Sequence, residues 1–137
     1  MLGTHNSIPP VYNGRRASFR GAGPPGSIIK FDTENPEDIE LYSFQPHEFP
    51  GEVAFVPKIG KDVTKPEEED CGYLVCFVTD GRDMITDLVI LDAEGKKGSL
   101  TKGPISRTRL PTFIPHGLHG GFMEGLTFDF EEAVQQN

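Results

Sequence analysis

The chain has 137 residues, enough for one domain with a core and too few for two ordinary ones. Twenty-one acidic against 13 basic side chains give a formal charge of -8 and a pI near 4.9, which argues against a nucleic-acid partner, since phosphate backbones need a concentrated basic surface. The one basic cluster, Arg15, Arg16 and Arg20, lies among Gly and Pro residues and carries no motif. Cys71 and Cys76 point to opposite faces if they share a strand, so they read as free thiols, in keeping with a reducing compartment. No apolar run approaches the roughly 20 residues of a spanning helix, and no secretory signal opens the chain.

Residues 1–26 are dense in Pro (Pro9, Pro10, Pro24, Pro25) and Gly (Gly14, Gly21, Gly23, Gly26), so an irregular segment with at most one short strand is expected. Ser27–Phe31 and Ile39–Phe44 are β-prone runs around the turn formers Asp32, Asn35 and Pro36, which predicts a hairpin. Its second strand alternates Ile39 and Leu41 with Glu40 and Tyr42, as an outer strand with one wet face does. Pro46–Gly51 reads as a turn, and Glu52–Pro57 as a short apolar strand headed by a carboxylate.

Lys58–Gly72 is a polar loop. Its acidic run Glu67–Asp70 lacks the alternating Asp/Asn spacing and the glycine of a calcium loop. Tyr73–Val78 and Asp87–Asp92 are apolar on both faces and predict central strands covered on both sides. Ile105–Leu110, carrying Ser106, Arg107, Thr108 and Arg109, is wetter. Four antiparallel strands graded from dry to wet between Glu52 and Leu110 describe a β-propeller blade, and a second inner strand is expected near Leu118–Phe122. The tail run Glu131–Gln136 is too short to stand as a helix, so the fold class is all-β.

Thr112–Phe122 sets His116 and His119 among glycines, a proline and bulky apolar residues. Backbone can approach closely there, and imidazole is offered in a greasy setting. Two readings fit: a metal ligand, or a turn whose histidines satisfy backbone groups. Placed on the blade pattern, Glu52 and His119 each open an innermost strand in successive blades, so both would face one central axis. Glu52 is then a candidate carboxylate for the second ring nitrogen of an axial histidine.

Four segments, in order, resemble the carotenoid cleavage oxygenases. They are Gly51–Pro57, similar to that family's Glu-Pro-Val-Phe-Val-Pro strand; Glu69–Tyr73, similar to its Glu-Asp-Asp-Gly segment; Asp87–Ala93; and Ile114–Gly120, similar to its Val-Pro-X-Gly-Phe-His-Gly. Val53 stands where the family has proline and Leu118 where it has phenylalanine; both exchanges keep apolar character. The resemblance implies a seven-bladed propeller of four-stranded antiparallel sheets with Fe(II) held on its axis by four histidines. It makes His119 the last ligand and Glu52 a glutamate that orients a ligand histidine, and leaves His116 on a variable position. His5 and His47 lack the flanking motifs of the other ligands.

On this reading the chain is an incomplete domain of about one and a half blades, residues 27–122, after the irregular segment 1–26 and before an acidic tail, 123–137. The implied reaction is cleavage of a conjugated carbon–carbon double bond of a carotenoid or apocarotenoid by O2. Phe113, Leu118 and Phe122 would line the substrate pocket, while the N-terminal blades supply the missing ligands and any peripheral membrane contact. The isolated chain would be inactive, and its place plastid or cytoplasm. The alternative is a non-catalytic β-sheet interaction module or relic.

Overall fold

The computed structural model describes residues 2–5, 11–12, 15–16, 25–95, 99–117 and 119–125. They hold ten strands: β1 (Leu2–His5), β2 (Val11–Tyr12), β3 (Arg15–Arg16), β4 (Ser27–Phe31), β5 (Ile39–Ser43), β6 (Glu48–Pro50), β7 (Ala54–Pro57), β8 (Gly72–Asp80), β9 (Ile85–Asp92) and β10 (Ser106–Arg109). A single 3-10 turn, Leu100–Lys102, is the only helical element among the described residues. None of these is a helix long and apolar enough to cross a membrane.

Every strand pairing is antiparallel. The hairpin expected around residues 32–36 forms as β4 and β5, and β1 adds to its other side to give the order β1-β4-β5. Residues 1–26 thus contribute more than the one short strand expected, since β2 and β3 also pair there. The larger sheet runs β10-β9-β8, with β6 and β7 sharing the far edge of β8. Its long central hairpin follows from the β-branched and aromatic content of β8 and β9. Asp80 shapes the turn: its Oδ1 accepts the backbone N–H of Arg82 (2.8 Å) and of Asp83 (3.1 Å).

Pro46–Gly51, expected as a turn, contains β6. Two prolines and a buried glutamate hide a strand whose pairing, Glu48 with Asp80 and Pro50 with Val78, is set by a partner far along the chain. Pro50 is tolerated because this strand lies at an edge. The sheet is therefore five-stranded where four strands were expected.

The core lies between the two sheets. Leu74, Cys76 and Val78 of β8 and Val89 and Leu91 of β9 meet Ile28 of β4, Phe44, Ala93 and Leu100, with Tyr42, Val53 and Phe55 packed around them. A fully buried aliphatic side chain of this kind contributes about 2 kcal/mol. The opposite face is not fully covered as expected: Tyr73, Val75, Leu88 and Ile90 are half-buried, and Phe77 is 46% exposed. In β5 the alternation also runs opposite to the expected sense. Ile39 (58%) and Leu41 (39%) face outward, while Glu40 is buried, its Oε2 accepting the N–H of Leu100 at 3.0 Å and its Oε1 left without a hydrogen-bond partner among the described residues.

Gly72 shows why one position admits no side chain. A Cβ there would stand 2.3 Å from the Phe55 ring and 2.8 Å from the carbonyl oxygen of Val56, on the neighbouring strand.

Candidate metal-ligand segment

Glu52 owes its position to a break in the sheet edge. Pro50 pairs with Val78 and Ala54 with Val75, so Gly51, Glu52 and Val53 face only Cys76 and Phe77. The backbone N–H of Gly51 still reaches the Phe77 carbonyl at 2.8 Å. An extra residue of this kind bends the strand and redirects a side chain, and here Glu52 leaves the edge exposed.

On the other edge the chain leaves β10 and is tied to β9 at once. The N–H of Leu110 donates to the Thr86 carbonyl (2.9 Å). Thr86 Oγ1 then accepts the N–H of Ile114 (2.9 Å) and donates to its carbonyl (3.1 Å). From there the segment reaches Glu52, whose Oε2 accepts the N–H of Gly120 at 2.5 Å. The strap therefore joins both edges of the five-stranded sheet.

His119 is thereby brought to Glu52, with Nδ1 3.8 Å from Oε1. That separation exceeds hydrogen-bond length, so the bond that Glu52 makes is to the backbone beside the ring. The imidazole is 83% exposed and its remaining edge is open. No strand forms within residues 119–122, so the expected second inner strand is absent among the described residues; Leu118 lies outside them. Phe113 (37% exposed) and Phe122 (51%) flank the segment as open aromatic surface. His116 is exposed, and His47 stands elsewhere, its Nε2 3.5 Å from Asp80 Oδ2.

The base of the strap is held by charge. Asp87, 3% exposed, binds Nε of Arg107 (2.6 Å) and Nε of Arg109, while Arg107 also reaches Glu48 Oε1 (2.5 Å). Arg109 first, then Arg107, holds the Asp87 carboxyl below the usual carboxylate range, against its burial. Thr86, fully buried, carries no sequence signal of its role in the strap: it lies just before the β-prone run Asp87–Asp92, and a threonine there suggests only more strand.

Among the described residues no group of three or more His, Cys, Asp or Glu side chains is placed to hold a metal ion. What the segment offers is one exposed imidazole with a carboxylate on its Nδ1 side.

The sequence profile of the family described as "Retinal pigment epithelial membrane protein" matches residues 10–124. This chain belongs to that family, the carotenoid cleavage oxygenases. It is 35% identical over 114 residues to the apocarotenoid-15,15'-oxygenase of Synechocystis sp., covering 83% of this chain and 21% of the relative. With the chloroplastic 9-cis-epoxycarotenoid dioxygenase NCED6 of Arabidopsis thaliana it shares 34% identity over 96 residues, covering 70% of this chain and 14% of that one. The solved structure of cobalt-substituted Synechocystis apocarotenoid oxygenase superposes with a TM-score of 0.57 at 36% identity, covering 71% of this chain and 18% of the other. This family member spans about a fifth of the length of the first of these relatives.

Proposed function

We propose that this chain is the C-terminal part of a non-haem Fe(II) dioxygenase that cleaves a conjugated double bond of a carotenoid or apocarotenoid. Residues 27–122 would form about one and a half blades of a seven-bladed propeller, between the segment 1–26 and the acidic tail 123–137. The observation that carries this reading is the strap that sets His119 beside Glu52, in a chain whose family is that of the carotenoid oxygenases.

His119 would give the metal one neutral imidazole, with its Nδ1 edge toward Glu52 and Nε2 as donor. Glu52 holds the Gly120 backbone, so the ring is presented from a fixed chain direction. Three further imidazoles would come from the N-terminal blades, which would also cover the half-open face around Phe77 and the outward Ile39 and Leu41. When bound, ferrous iron supplies an open coordination position where O2 and an electron-rich polyene can meet. Phe113, Leu118 and Phe122 would contribute apolar wall to the substrate tunnel, excluding water from the polyene. Alone, the chain would not turn over, since one imidazole does not hold Fe(II) against water. Plastid or cytoplasm are its proposed locations, with any membrane contact made through the N-terminal regions.

The test is iron content and apocarotenoid cleavage by the full-length protein with and without His119→Ala. Loss of both on substitution supports the reading. Full iron loading in the variant removes His119 from the ligand set, and a full-length protein that folds without binding iron leaves a non-catalytic β-sheet module.

A further inference from the structure

We infer that Thr86 is a positioning residue for His119, a role that rests on the metal-ligand reading above. Its hydroxyl donates to the carbonyl and accepts from the N–H of the same residue, Ile114, as a neighbouring strand would through its backbone. This is open to a single side chain because Pro115 follows Ile114. The residue before a proline is pushed into an extended conformation, in which N–H and C=O turn to the same side. Pro115 offers no N–H of its own, so Ile114 is the nearest residue before His116 that can be held through both backbone groups.

Thr86 is fully buried on the sheet face opposite the core, under the strap. Its carbonyl also receives Leu110, so one residue fixes the strap at its root and at Ile114. Only the short span from Ile114 to Glu52's bond at Gly120 is left to carry His119. Without the hydroxyl, the run from Leu110 to Gly120 would lose its tie at Ile114, and that residue's N–H and C=O would lose the partner they share. Groups bonded directly to a ligand side chain commonly affect metal affinity about ten- to a hundredfold, and Thr86, acting through the backbone at Ile114, is expected at the lower end of that range.

The experiment compares Thr86→Val, Thr86→Ser, Thr79→Val and His119→Ala in the full-length protein, reading Co(II) affinity and the visible Co(II) spectrum with circular dichroism as the fold control. Thr79 is the cross-strand partner of Thr86 and reports on nonspecific damage to the hairpin. Expected is a Co(II) affinity about tenfold weaker, with an altered spectrum, in Thr86→Val. Thr86→Ser, which keeps the hydroxyl, and Thr79→Val should match the parent. Parental binding by Thr86→Val while His119→Ala loses the metal overturns this inference and leaves the ligand reading intact. Parental binding by His119→Ala overturns the ligand reading, and this one with it. If Thr86→Val does not fold, Thr86→Ser decides: it must bind Co(II) as the parent does and keep the Ile114 amide slow to exchange, and failure of either overturns the role.

Discussion

Glu52 grips the backbone of Gly120, 68 residues further on, and in doing so fixes the neighbour of His119 to the broken edge of the sheet. The contact is exposed, so its worth lies in placement more than in stability.

Removing that grip should therefore separate local order from global stability. Glu52→Ala is expected to shift the unfolding free energy by less than about 1 kcal/mol, as exposed polar contacts do. The Gly120 amide should exchange markedly faster. A parental exchange rate at Gly120, measured by NMR, would show that the carboxylate is not what holds it.

The acidic pair under β10 should respond asymmetrically to substitution. Arg107 serves both Asp87 and Glu48, each nearly buried, so Arg107→Met strips a partner from two desolvated carboxylates and should cost about 3 kcal/mol. Arg109 is 58% exposed and serves Asp87 alone, so Arg109→Met should cost under about 1 kcal/mol. Urea denaturation of the two variants ranks them.

Asp87 also gives stability a pH dependence. Its folded pKa is lowered, chiefly by Arg109, so the unfolded chain takes up the proton first as pH falls. The contribution is complete above the unfolded value, about pH 4, and is lost as pH drops through the folded one. Melting temperatures between pH 7 and pH 3 should fall less steeply in Asp87→Asn than in the parent.

Cys76 behaves in the opposite direction. Burial pushes its thiol up to about 12, so the folded chain keeps the proton that an unfolded one sheds near pH 8.5. Its stabilising effect is full below that lower value and is lost as pH rises toward the upper one. At pH 8 in native buffer, a thiol reagent should leave Cys76 unmodified, and added denaturant should expose it; rapid native labelling would contradict the packing described.

At Gly72, substitution by Ala should cost about 2 to 3 kcal/mol through overpacking. A second change, Phe55→Leu, should recover only part of that, because the Val56 carbonyl also stands in the way and a backbone atom cannot be trimmed. Thermal unfolding of the single and double variants tests this.

Periodicity and turn chemistry made the β4–β5 and β8–β9 hairpins and β10 legible, since each has local signals within its own residues. The strand β6 was not, because Glu48–Pro50 pairs with a partner some thirty residues away and has a proline at its end. Burial of Glu40 was equally hidden: its reason is an amide in the 3-10 turn at Leu100, which no pattern in β5 announces. Glu52 and His119 could be singled out by motif, and their side chains stand 3.8 Å apart. The clamp made by Thr86 could not, because its meaning depends on where Ile114 crosses the sheet.

The interrupted border formed by β6 and β7 has a consequence for solubility. Each piece ends in a proline, Pro50 and Pro57, and the offset between them denies an incoming chain a straight row of free amides. This border of the sheet is thus a poor template for fibril growth.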